Sequence, residues 1–143
     1  MMALVLAPAA PAAEAPIGLC VSDETRATLH AEMRALLGAL HGVHAALGER
    51  DFDALTARAA AVGSAMTTQV EHQGHGHPAD LPHEFVKIGR ATHAAFDDLA
   101  MLSKEGGRPR ELLPALSKVT SQCVACHERY RLAPAAACVS DRD

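Results

Sequence analysis

Apolar residues recur at helical spacing near the C-terminus of this 143-residue chain, and this repeat restricts the fold more than any other feature of the sequence. They follow one another at steps of four, three, four, three and four residues: Leu112, Leu116, Val119, Cys123, Cys126 and Tyr130. Such steps place side chains on one face of an α-helix, which must then be buried against other elements. The stretch between Pro109 and Pro134 therefore predicts an amphipathic helix whose buried face carries two cysteines.

Three earlier stretches have the same kind of periodicity. The first begins at the capping sequence Ser22-Asp23-Glu24 and ends at Gly48. Its inward positions recur at steps of four and three: Leu29, Met33, Leu36, Leu40, Val43 and Leu47. The second stretch is capped by Asp51, and its inward-facing positions continue to Met66. The third has Pro82 as its first residue and ends at Gly106. Four such helices joined by turns predict an all-α fold, an antiparallel up-down-up-down four-helix bundle with no strand required.

One proline conflicts with this pattern. Pro114 lies inside the fourth helical stretch, where a proline ring removes a hydrogen bond and meets the preceding turn. We therefore expect a distorted first turn there, or a helix that starts nearer Leu113.

Composition restricts the size of the core and the classes of partner. The length is that of one domain. The only aromatic residues are three phenylalanines and one tyrosine, so the core is thin and a bound apolar group would supply the missing volume. The formal net charge is −4 and no basic stripe is present, which argues against a nucleic-acid partner. No apolar run is long enough to span a bilayer.

Residues 123–127 read Cys-Val-Ala-Cys-His, a pattern typical of covalent haem attachment. On a helix, Cys123, Cys126 and His127 share one face, so two thiols and one imidazole would meet the same macrocycle. A redox dithiol is a second interpretation, but such motifs usually follow a strand. Half of a zinc site is a third, and it would need histidines as the second ligand pair.

The two ends of the chain differ in composition from the middle. Residues 1–21 are rich in alanine and proline, which indicates either an export signal with small-residue cleavage sites or a disordered segment. Export is favoured, since covalent haem attachment is expected outside the cytoplasm, and we therefore expect a periplasmic protein. The predicted haem-binding domain spans residues 22–132, and residues 133–143 form a C-terminal tail.

With residues 123–131, Cys-Val-Ala-Cys-His-Glu-Arg-Tyr-Arg, on the last of four helices, the chain resembles the class II c-type cytochromes. These comprise cytochrome c′ and its low-spin His/Met relatives, and the resemblance covers residues 22–132. It implies haem c bound through Cys123 and Cys126, with His127 as the proximal iron ligand and Arg131 near the haem edge. The resemblance also implies a possible homodimer. The histidine-rich loop between residues 71 and 83 and the two cysteines outside the motif, Cys20 and Cys138, depart from the family.

The resemblance further implies that the first helix supplies the sixth iron ligand. Met33 matches the family's ligand position in the stretch Met33-Arg34-Ala35-Leu36, whereas an alternative alignment through Arg26 nominates His30. A methionine at a core position can also simply fill space. Met33 as ligand implies electron transfer with redox partner proteins, and an open or apolar site implies a five-coordinate protein that binds NO or CO. No nucleophile, carboxylate pair or second cofactor motif points to an enzyme.

Several histidines and two cysteines lie outside this motif. His93 is either a hydrogen-bonded structural residue or one that faces the haem, while His41 and His44 are expected in solvent. The histidines of the loop, His72, His75, His77 and His83, form either a weak metal-binding tract or a polar surface loop. Cys20 and Cys138 flank the bundle at one pole, which predicts a disulfide; if Cys20 is removed with a signal, Cys138 would link two subunits.

Overall fold

A computed structural model describes residues 14–67 and 81–138. Four helices make up most of this part of the chain, which confirms the predicted all-α class. They are α1 (Asp23–Glu49), α2 (Phe52–Ala60), α3 (His83–Lys104) and α4 (Pro109–Arg129).

The first two helices begin at the caps that the sequence predicted. The Ser22 hydroxyl accepts a hydrogen bond from the Thr25 amide at 3.1 Å, and the Asp51 carboxylate accepts one from the Ala54 amide at 2.9 Å. Each cap satisfies an amide that has no partner within its own helix. Helix α1 ends at Glu49, one residue beyond Gly48, because Arg50 adopts the left-handed conformation with φ 59°.

The expected continuation of the second helix to Met66 is wrong. Helix α2 ends at Ala60, the chain turns through residues 61–63, and residues 64–67 are helical again. The reason lies on α3, where the Asp97 carboxylate accepts the Ser64 amide at 2.9 Å and packs against Gly63. A carboxylate from a neighbouring helix therefore starts a new helical turn where the apolar pattern alone predicted continuity.

The prolines affect the other two helices less than expected. Helix α3 begins at His83, one residue after Pro82. Helix α4 runs without interruption from Pro109 through Pro114, whose side chain is exposed. The expected distortion of its first turn, or a start nearer Leu113, is therefore wrong. Its first turn is held by Glu111, whose carboxylate accepts the Arg108 amide at 2.8 Å.

The core lies between the helices at their centres. Helix α1 packs on α2, α2 on α3, and α3 on α4. Large side chains with almost no exposure fill the interior: Val43, Leu55, Phe96, Leu99, Leu112 and Val119. Along part of their length, α1 and α4 instead face each other across a cavity that is described below.

Two short strands were not expected from the sequence. β1 (Ile17–Leu19) pairs in parallel with β2 (Tyr130–Leu132), so that Ile17 lies opposite Tyr130. The Ala133 amide continues the pairing by donating to the Leu19 carbonyl at 2.9 Å. Three-residue strands carry too little alternation to be seen in a sequence, and this pair depends on two distant segments meeting at one pole.

The predicted link between the two chain ends is confirmed. Cys20 and Cys138 form a disulfide with their Cα atoms 5.5 Å apart. The Arg26 guanidinium adds a hydrogen bond of 2.7 Å to the Ala133 carbonyl. Among the described helices, none combines the length and apolar character that crossing a bilayer would require.

Candidate functional site

The last turns of α4 carry the three residues of the attachment motif. Cys123 and Cys126 are half-buried, His127 is exposed, and all three line one cavity. Their spacing of three and four residues brings them to the same side of the helix. The Cys123 thiol lies 3.5 Å from the Val119 carbonyl, one turn back, as a weak donor. Two thiols and one imidazole are thus available to one ligand.

The environment of the two thiols bears on their chemistry. Burial raises the pKa of Cys123 above its ordinary value. Burial also raises the pKa of Cys126, and electrostatic interactions with Cys123 and Glu32 raise it further. Catalytic dithiols need the opposite environment, one that stabilises a thiolate. Burial therefore disfavours the thiolate form that a catalytic dithiol would use.

The cavity lies between α1, α3 and α4 and has two adjoining chambers. The chambers have volumes of about 290 and 380 Å³. They share the residues Leu29, Met33, Phe85, Cys126 and His127. Apolar side chains form nearly all of the walls, and the size is in the range of protein sites for small organic ligands and cofactors.

Helix α1 forms the wall opposite the motif. Met33 lines both chambers and is 37% exposed, although it lies on the apolar stripe of its helix. Leu37, on the same wall, is 67% exposed. Apolar side chains left this accessible on an inward stripe are those that a large apolar ligand would cover.

His30, the competing candidate for the sixth ligand, lies nearer the N-terminus of the same helix. His30 lines the second chamber only, together with His127. Met33 therefore shares both chambers with His127, whereas His30 shares only the second chamber with it.

Arg131 lies in β2, directly after the motif helix, and also lines the second chamber. Its side chain is exposed, and its Nε atom donates to the Pro16 carbonyl at 3.3 Å. A cation at the rim of this chamber is suitably placed to meet an anionic ligand edge.

Among the residues that the structure describes, the histidines other than His30 and His127 do not line the cavity. His93 is 1% exposed, and its ring nitrogens lie 2.7 Å from the Val62 carbonyl and 2.8 Å from the Glu32 carboxylate, which confirms the hydrogen-bonded structural role. His41 and His44 are exposed, as predicted, and His44 bonds the Leu40 carbonyl at 2.7 Å.

The predicted histidine-rich tract lies mainly outside the residues that the structure describes. His72, His75 and His77 lie outside the described residues, and His83 is exposed at the start of α3, 3.9 Å from Glu84.

One cavity residue was missed by the sequence analysis. Glu32 lines the first chamber and is the partner of His93 on α3. The sequence did contain a clue, because Glu32 lies three residues after Leu29 and four before Leu36, inside the apolar stripe of α1. An acid at such a position needs a buried partner.

Several side chains that could act as tethers or ligands line the cavity. Within the two described ranges, no group of three or more histidine, cysteine or acidic side chains is arranged to hold a metal ion. The donor set that does converge is two thiols, an imidazole and a thioether, from Cys123, Cys126, His127 and Met33. Thiols can tether a porphyrin, and an imidazole and a thioether can ligate its iron, so these four side chains would fit a haem.

Comparison of the chain with protein-family models, with curated proteins and with solved structures finds no match. The side chains of the cavity and their geometry therefore carry the functional inference.

Proposed function

We propose that this chain is a c-type haem protein related to the class II cytochromes. Its haem would be bound covalently through Cys123 and Cys126, with His127 as the proximal ligand. The observation that supports this most is the shared cavity: the two thiols and the imidazole of α4 line it, and Met33 of α1 lines its opposite wall. A porphyrin in that space would cover the exposed Leu37 and Met33 side chains.

The proposed activity is the transfer of single electrons between redox partner proteins. A bound haem supplies the one-electron chemistry, and the protein supplies ligands and shielding. Met33 is the proposed distal ligand, since its thioether would raise the reduction potential relative to a second imidazole and block added ligands. Arg131 would lie near the anionic edge of the haem, at the rim of the second chamber.

The architecture and setting proposed with this function follow from the same residues. The four helices would form an antiparallel up-down-up-down bundle around the haem, in an exported, periplasmic protein that is not an enzyme. The resemblance to the family adds a homodimer to the proposed assembly.

A five-coordinate protein that binds NO or CO is the second candidate. One observation favours it: Met33 is surrounded along its wall by the aliphatic side chains of Leu29, Leu36 and Leu40. If Met33 does not ligate, these residues would leave an apolar pocket on the distal side, which suits a small uncharged gas.

Covalent attachment is the test of the proposed function. The full chain should be produced with export and haem-attachment machinery, denatured, and extracted with acidified organic solvent. We expect the colour to stay with the polypeptide. Replacing both Cys123 and Cys126 by serine should release it.

The other two cysteines of the chain provide a matched control. The double variant Cys20→Ser/Cys138→Ser removes the same number of thiols away from the cavity and should remain coloured. A colourless wild-type protein, or pigment fully extracted from it, would contradict the proposed function.

A further inference from the structure

A carboxylate, that of Glu32, lies on the wall of a cavity whose lining is mainly apolar. Glu32 belongs to α1, adjacent in sequence to Met33, and its side chain is 13% exposed. It lines the first chamber together with Cys123, Cys126 and His127. An acid inside an apolar cavity is costly unless something holds its charge.

His93 of α3 is the group that holds it. The Nδ1 atom of His93 lies 2.7 Å from the Val62 carbonyl, and its Nε2 atom lies 2.8 Å from Oε1 of Glu32. Both partners are acceptors, and an imidazolium can donate from both nitrogens. The two side chains thus form a partly buried ion pair, in which His93 is almost fully enclosed and the Glu32 side chain borders the cavity.

The Glu32 side chain keeps part of its surface accessible although Oε1 is bonded to His93. Among the described residues, no buried side-chain oxygen or nitrogen lacks a hydrogen-bond partner. The hydrogen bond to His93 uses Oε1 of this carboxylate. Glu32 lines the same chamber as Cys123, Cys126 and His127, so its charge lies close to the attachment residues.

From this geometry we infer that Glu32, held in place by His93, is an electrostatic positioning residue that lowers the reduction potential of the bound haem. The inference rests on the proposed haem function. A negative charge on the wall of a haem site would favour the oxidised, more positive iron, and mainly apolar walls would strengthen that interaction. The pair would thereby offset part of the upward shift expected from a Met33 ligand.

The main test is the midpoint potential of the haem-loaded protein and of two variants that act on opposite ends of the pair. Glu32→Gln keeps a hydrogen-bonding amide but removes the negative end, so the midpoint potential should rise. His93→Gln removes the positive end and leaves the carboxylate, so the potential should fall. A merely structural role would loosen the cavity in both variants and shift both potentials in the same direction, and that result would overturn the inference.

Glu49→Gln is the matched control, because it removes the same charge from the exposed end of the same helix. Its potential should equal that of the wild type. Glu32→Asp, which keeps the charge, should restore a potential close to the wild-type value. An effect of Glu49→Gln as large as that of Glu32→Gln would mean that net charge, and not the position of Glu32, is responsible.

A second readout needs no haem. In the full chain produced without haem, Glu32→Gln should speed alkylation of Cys126 at neutral pH by at least about twofold, because the opposing negative charge is gone. Glu49→Gln should leave the rate unchanged, and mass spectrometry assigns the alkylated cysteine. An unchanged rate in Glu32→Gln would show that its charge does not reach the site. A colourless wild-type protein contradicts the proposed function itself, whereas a coloured protein with the wrong shifts contradicts only this inference.

Discussion

Cys20 and Cys138, separated by 118 positions in the sequence, are joined by a disulfide at the pole where α1 begins and α4 ends. The same pole holds the parallel pairing of β1 with β2 and the hydrogen bond from Arg26 to Ala133. Because β2 starts directly after α4, these links fasten the N-terminal strand beside the end of the motif helix. Leu19 and Leu132, one from each strand, line the second chamber.

We expect the double variant Cys20→Ser/Cys138→Ser to lose about 2–4 kcal/mol of unfolding free energy, since the unfolded chain regains the freedom that the cross-link removes. Urea unfolding in non-reducing buffer measures the loss. Dithiothreitol should lower the wild type to the level of the variant and leave the variant unchanged. Equal urea midpoints for both proteins without reductant would contradict the prediction.

The junction after α2 should be sensitive to a single methyl group. Gly63→Ala places a Cβ against the Asp97 carboxylate that accepts the Ser64 amide, so we expect a loss of about 1–3 kcal/mol. Gly38→Ala is the matched control, because a Cβ there meets no atom within 4 Å and the position is within α1. It should gain about 0.5–1 kcal/mol. Thermal and urea unfolding of both variants and of the wild type measure these changes in stability. If Gly63→Ala leaves the unfolding free energy unchanged, Asp97 can move away without cost and the prediction is wrong.

The ion pair of Glu32 and His93 should make stability depend on pH. Burial pulls the pKa of His93 down, but hydrogen bonds to Glu32 and the Val62 carbonyl and the charges of Glu32 and Asp97 raise it above 6.5 overall. A raised pKa in the folded state means that the contribution is fully present below pH 6.5 and is lost as the pH rises through the folded-state value.

His93→Gln should therefore cost about 1–3 kcal/mol at pH 6 and less at pH 9. Urea unfolding of the wild type and the variant at several pH values measures the difference between them. A difference that stays constant or grows toward pH 9 would mean that His93 is neutral in the folded protein.

The distal ligand can be assigned from spectra of the haem-loaded protein. We expect a low-spin ferric spectrum with a methionine charge-transfer band, and a ferrous spectrum that does not respond to carbon monoxide. Met33→Ala should abolish the band and open the ferrous site to carbon monoxide, while His30→Ala on the same helix should change neither. The reverse pattern would assign His30, and a wild type that already binds carbon monoxide supports the gas-binding alternative.

Local sequence was sufficient to predict most of the helical content. The Ser22 and Asp51 caps and the apolar steps of α1 and α4 act within a few residues, so the helices begin where these local interactions are satisfied. The grouping of Cys123, Cys126 and His127 is equally local, because steps of three and four residues fix it on any helix. Haem attachment itself, the distal ligand and the bundle topology stay predictions.

What only the tertiary structure decided are the features made by residues far apart in the chain. The break after Ala60 depends on Asp97 of α3, the strand pair depends on the meeting of residues 17–19 with 130–132, and the charge on the cavity wall depends on His93 reaching Glu32. In the sequence, Glu32 is only an acid inside an apolar stripe. Periodicity specifies which face of a helix is buried, but the partner of a buried charge is set by the packing of another helix against it.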